Sequence, residues 1–346
     1  MKKLFTQILL LAVLLLTLLE AALLIGATAS FENFEESTIG AVQPRYTGEI
    51  RNGNTLWQRL LSNLPLVPFG KRKVTLVAVM IENHEDARPN QEGLERALLV
   101  EEWLVEGFIS RFVAVFDVNS LPERVGPVRS IRPYFLEGLL PWRVILFHAG
   151  GSPEALEMAE QSKSMVTING ISGTYYNHFE RDAALNPPHD LFIERDQMLE
   201  IAGEFKEHRT AWPPFTHGFA KEAPTARSIS MNFFNPEHNV RYTFSSASQK
   251  YARSNGRVDY QARPENVLIL EMPIEEIGEH GRLQIPVRGR GKLLLFRAGN
   301  VYEGTWQKGG PNASFSFSNM EGEPLAFSRG QTWMTVLPTL ERVEWE

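Results

Sequence analysis

The chain has no cysteine among its 346 residues. That excludes a disulfide framework, a thiol nucleophile, zinc–thiolate coordination and lipid attachment through cysteine. A surplus of positive charge is also missing: 35 Lys and Arg stand against 41 Asp and Glu, for a formal net charge of -6. Binding to a nucleic-acid backbone needs a basic surface, so no nucleic-acid partner is expected. No Gly-x-Ser-x-Gly elbow, no His-Glu-x-x-His helix and no Lys-Ser/Thr phosphate-loop ending occurs. The most readily recognised hydrolase, metalloprotease and nucleotide-binding readings fall away with them. No internal repeat or low-complexity segment stands out.

What is present begins with Lys2 and Lys3 ahead of an almost unbroken apolar run over residues 8–27. Its length approaches the ~20 residues that cross a bilayer, and the lysines favour a cytoplasmic N-terminus. Glu20 within the run costs about 2.5–3.5 kcal/mol at a bilayer centre, which the surrounding leucines can offset. Ala27-Thr28-Ala29 offers a cleavage site, so residues 1–30 are read as a signal or membrane anchor. The rest of the chain is then extracytoplasmic, on a single-pass anchor or secreted after cleavage. Residues 31–72, polar and rich in Gly and Pro, read as a tether.

The remainder, 43% hydrophobic over the whole chain, is large enough for two domains. Residues 73–210 read as an α+β domain layered around a mixed sheet. Strands are expected at 74–81, 97–105, 110–118 and 144–148, with helices at 132–140, 153–161 and 195–207. Residues 174–190 read as an irregular polar stretch. Residues 211–226, carrying Pro213, Pro214 and Pro224, read as a linker. Residues 227–346 read as a mostly β second domain, with strands at 241–250, 267–271, 292–297, 301–307, 314–318 and 332–337. Turns at Ala298-Gly299-Asn300 and Glu321-Gly322-Glu323 are hairpin candidates.

Three polar features can carry chemistry. Arg124, Arg129 and Arg132 crowd a Gly/Pro segment before a helix start. Guanidinium forks suit phosphate or carboxylate, although such arginines can equally pair with surface acids worth about 0–1 kcal/mol each. His148-Ala149-Gly150-Gly151-Ser152-Pro153 joins a strand end to a helix that Ser152 can cap, leaving backbone N–H groups open to an anion or simply making a tight turn. His148 could move a proton there or be structural. The stretch from Tyr175 to Asp190 mixes aromatic and polar residues, and His178, Asp182, His189 and Asp190 match no established metal spacing. No metal and no cofactor are expected.

These features stand with others in a recognisable order. Asn83-His84, Ala87-Arg88-Pro89, Gly93-Leu94, Val105-Glu106-Gly107 and Ser110-Arg111-Phe112 are followed by Gly126-Pro127-Val128-Arg129-Ser130 and Arg132-Pro133-Tyr134. Next come His148 to Ala155, Arg181-Asp182 and Pro188-His189-Asp190-Leu191. Gly291-Lys292, Leu295-Phe296-Arg297, Gly304-Thr305-Trp306 and Gly330-Gln331-Thr332-Trp333 continue the pattern. The chain resembles the YerB-like family over roughly residues 70–340. The resemblance implies two α+β domains in a bacterial envelope protein, often lipid-anchored, and no particular reaction. Here the lipid-bearing cysteine is absent, and His189-Asp190 stands where the family pattern has His-Asn.

Arg111, Arg129, Arg132, His148, Gly150, Gly151, Ser152, Arg181 and His189 form the candidate anion site, for a phosphate- or carboxylate-bearing envelope ligand. One alternative is a non-catalytic scaffold for envelope-assembly proteins, whose arginines pair with carboxylates such as Glu102 and Glu106. Another is an envelope hydrolase or transferase; whether the protein is an enzyme stays open, with no catalytic residue assigned. Unpaired arginines in a cleft separate the first reading from the scaffold.

Overall fold

The computed structural model describes residues 71–218, 222–278 and 281–346. The signal or anchor at 1–30 and the tether up to residue 70 lie outside the described residues. Among the described residues no helix is long and apolar enough to cross a membrane.

The architecture grows from strands apolar on both faces. Strand β1 (Leu76–Glu82) sends Val77, Val79 and Ile81 into one core and Leu76, Ala78 and Met80 into the other. This is the period-2 alternation of a strand covered on both sides. Also in the sheet are β2 (Leu99–Leu104), β3 (Ser110–Asp117), β4 (Ile145–His148) and β5 (Val166–Asn169). From the second half come β6 (Asn266–Glu271), β7 (Gly289–Arg297), β8 (Asn300–Lys308), β9 (Ser316–Asn319) and β10 (Thr332–Leu337).

These ten strands form one mixed sheet, ordered β9-β8-β7-β6-β10-β2-β3-β1-β4-β5. The seam between the two halves of the chain is the parallel pair β10–β2, with Thr332 opposite Leu99 and Thr335 opposite Glu102. One face carries α1 (Pro133–Leu139) and α2 (Pro153–Gln161), through Phe135, Leu136, Leu139 and Ala155. The other face is covered by α3 (Arg195–Glu204), through Met198 and Ile201, and by a second sheet of five strands. The sheet-rich α+β class and the positions of all three helices agree with the sequence.

Residues 241–250 are not one strand. They hold a hairpin, Val240–Ser245 paired with Lys250–Asn255, because the serines at its tip close a turn: Gln249 N–H donates to the Ser245 carbonyl at 2.8 Å. Ser228–Met231 and Val343–Trp345, too short to stand out in the sequence, pair with each other in the same sheet. The stretch read as irregular includes a short strand, Phe179–Arg181, beside Leu191–Glu194. The proline-rich connection is itself paired: Thr210–Trp212 runs antiparallel to Arg72–Val74, and Thr216–His217 parallel to Ala326–Phe327.

Candidate functional site

β1 and β4 run parallel and are in register from Val77–Ile145 to Val79–Phe147. Beyond their last pairing, the segment 126–131 wedges between their carboxyl ends. Glu82 N–H donates to the Pro127 carbonyl at 2.9 Å and Arg129 N–H to that of Met80 at 2.9 Å. On the other side Ala149 N–H donates to the Arg129 carbonyl at 2.9 Å and Ile131 N–H to that of Gly150 at 3.0 Å. The carboxyl ends of parallel strands are where open sheets place ligands. A Cβ on Gly151 would lie 2.6 Å from Ile131 Cγ1, so only glycine lets the strand–helix turn come this close. Ser152 caps α2 by accepting the Ala155 N–H at 3.3 Å.

Three candidate arginines meet here. Arg111 on β3 stands opposite Glu82 on β1, is 8% exposed, and donates Nη1 to the Ser130 carbonyl at 2.8 Å. Among the described residues no carboxylate forms an ion pair with it. Burial, and then the positive charges of Arg132 and Arg129, lower its pKa to about 10. Arg129 holds Glu82 at 3.0 Å, while its buried Nε has no partner. Arg132 grips Glu106 with two bonds of 2.7 Å. Burial pushes the Glu106 pKa up, but the Arg132 fork outweighs it and holds that carboxyl below its usual range. Three guanidinium groups therefore face two carboxylates.

The other candidates have separate duties. Arg181 pairs with buried Asp190 at 2.6 Å. His148 is 2% exposed and donates Nδ1–H to the Gly150 carbonyl at 2.9 Å, and burial lowers its pKa to about 4. It braces the turn as a neutral ring. His178 lies 3.9 Å from Glu200 and Asp182 pairs with Arg124 at 3.1 Å, so the metal set weighed in the sequence has no common centre. His189 joins a different group: its Nδ1 lies 2.7 Å from Glu82 Oε2 and its ring stacks on His84 at 5.4 Å. One donor atom from each of His84, Asp86 and His189 lies within 4.8 Å of the others, a set able to hold a metal ion.

The sequence missed the most deeply buried polar cluster. Glu102 does not serve the candidate arginines. It accepts Arg253 at 2.8 and 2.9 Å, Ser110 Oγ at 2.8 Å, Thr335 Oγ1 at 3.1 Å and Trp333 Nε1 at 3.2 Å. Arg253 is wholly buried, its guanidinium 4.4 Å from the Trp333 ring centre and 4.6 Å from that of Tyr260. The available signal was Glu101-Glu102 inside an apolar strand, which demands partners for two buried acids. A separate open cavity of about 460 Å³ is lined by Arg88, Glu92, Arg124, Arg195 and Tyr260. It lies away from Arg111, and its Arg124 and Arg195 already have carboxylate partners.

The family model "Protein of unknown function (DUF3048) N-terminal domain" matches residues 64–208, and its C-terminal counterpart matches residues 229–334. "Putative lipoprotein YerB" of Bacillus subtilis (strain 168) is 32% identical over 277 residues, 77% of this chain and 82% of that protein. The crystal structure of YerB from Bacillus subtilis superposes with a TM-score of 0.68 at 30% identity, covering 79% of this chain and 94% of that one.

Proposed function

The chain belongs to the DUF3048 family of YerB-like proteins, and from that premise we propose that it is an extracytoplasmic envelope protein that binds a phosphate- or carboxylate-bearing ligand. The lipoprotein name of its relative supports an envelope location. With no cysteine to carry a lipid, the apolar run over residues 8–27 serves as the anchor.

The observation that carries the reading is Arg111. A buried guanidinium with no carboxylate ion pair among the described residues, next to Arg129 and Arg132, is costly unless an anion completes it. Arg111 lies beside the carboxyl end of β1, and its neighbours Arg129 and Arg132 are partly exposed. The scaffold reading draws on the remaining arginines, since Arg129, Arg132 and Arg181 each have an acidic partner.

The test is thermal denaturation of the full chain in mild detergent with inorganic phosphate or acetate. A ligand that binds only the folded state raises Tm. Phosphate should raise it, and Arg111→Met should abolish the rise while melting no earlier than wild type. An Arg111→Met protein that melts well below wild type, with no anion raising Tm in either, makes the arginine structural and favours the scaffold.

A further inference from the structure

We propose that His84, Asp86 and His189 form a binding site for a divalent transition metal, with zinc as the reference ion. The set comprises two imidazoles and one carboxylate, borderline donors that suit zinc and leave a fourth position for water or an anion. The inference does not rest on the anion reading, because none of its ligands is an arginine.

The geometry is close to that of a chelate. All three donors fall within 4.8 Å of one another. His84 Nδ1 and Asp86 Oδ2 are 3.5 Å apart. Two donors on a tetrahedral zinc at 2.0–2.2 Å are separated by about 3.3 Å, so that edge is nearly formed. The His84 and His189 rings stack 5.4 Å apart and 23° from parallel, so the two imidazoles are adjacent and a modest turn of one ring brings its in-plane lone pair onto a shared ion. Asp86 has 70% of its side chain exposed and is free to swing inward. Its backbone N–H, 3.3 Å from His84 Nδ1, is the contact a metal at that nitrogen would displace.

The support around His189 points the same way. Glu82, whose side chain is 6% exposed, accepts from His189 Nδ1 at 2.7 Å. With that carboxylate accepting at Nδ1, Nε2 is the ring nitrogen left to bind a metal. A carboxylate behind a histidine in this manner fixes the tautomer and ring orientation of metal ligands and strengthens the ligand. The loop bearing His189 is tied down by its N–H to the Asn186 carbonyl at 2.9 Å, and by Asp182 N–H to that of Asp190 at 2.8 Å. The charges nearby are mixed. Asp86, and Glu85 at 3.6 Å from His84 Nε2, favour a cation. Arg129 opposes it but is neutralised by Glu82 at 3.0 Å.

The full chain, purified in mild detergent and stripped with EDTA, would be titrated with zinc chloride by calorimetry and with cobalt chloride by visible absorption. The expected result is one equivalent of zinc per chain and a cobalt spectrum with tetrahedral d–d bands. His84→Asn and His189→Asn should each weaken zinc binding by about 100-fold or more, and Glu82→Gln by about 10–100-fold. Asp86→Asn, at an exposed carboxylate, should weaken zinc binding while melting as wild type does in EDTA. His178→Asn, whose partner is Glu200, should leave it unchanged. Absence of saturable zinc binding, or undiminished binding in the Asp86→Asn and His189→Asn proteins, overturns the proposal.

Discussion

At the scale of single residues, burial decides which charges can act. Arg111 keeps its charge in a crowded, nearly dry place, whereas His148 surrenders its own and becomes a brace for the turn before α2. Glu101 shows the same physics from the acidic side. It is fully buried, accepts only the Trp103 Nε1–H at 2.9 Å, and leaves its other oxygen without a partner. Burial pushes its pKa up from 4.5 to about 7. The unfolded chain loses this proton near pH 4.5 and the folded chain near 7, so folding holds the extra proton in between. Stability should therefore fall as pH rises through that window, by about 3 kcal/mol, and change no further above it. Glu101→Gln keeps an acceptor for Trp103 without the charge. The variant should gain on wild type from pH 5 to about 7 and then hold that advantage to pH 8 in urea denaturation; parallel curves would mean that Glu101 stays ionised.

At the scale of elements, the segment 126–131 and the start of α2 are fitted to each other. The cap at Ser152 was legible because Ser-Pro after paired glycines satisfies known requirements of a helix start. The closeness of Gly151 to Ile131 was not, since it depends on an approach between residues that neither periodicity nor propensity encodes. The two contributions can be separated. Ser152→Ala removes a cap worth about 1 kcal/mol. Gly151→Ala forces a methyl to 2.6 Å from buried Ile131 Cγ1 and 3.3 Å from its carbonyl oxygen. It should cost more, up to about 3 kcal/mol, and displace the segment carrying Arg129. Equal losses in chemical denaturation would show that the turn can relax.

At the scale of the whole molecule, the two halves of the chain are one sheet. β10 enters between β6 and β2, and the Glu102–Arg253 pair spans from the larger sheet to the five-stranded sheet packed on it. Removing one member of such a buried pair leaves the other unpaired, at about 3–5 kcal/mol. Arg253→Met should lose that much in urea. Trp333 sits on the seam, so its fluorescence and far-ultraviolet circular dichroism should still report a single transition. A loss below about 1 kcal/mol would mean that the four aromatic rings near Arg253 and the three neutral donors on Glu102 suffice without the ion pair.

The sequence by itself determined β1 to β4, all three helices, the sheet-rich second half and the family, because those follow from local periodicity, capping and short motifs. It also placed Arg129, Arg132 and the His148–Ser152 turn close to one another in the chain. Tertiary structure alone decided that β10 joins the halves, that Glu102 answers Arg253 rather than the candidate arginines, and that Arg111 has no acidic ion-pair partner among the described residues. It likewise brought His189 to His84 and Asp86. The physical reason is common to all four: each depends on pairing between residues far apart in sequence, whose energies come from desolvation and register, so that the local pattern does not name the partner.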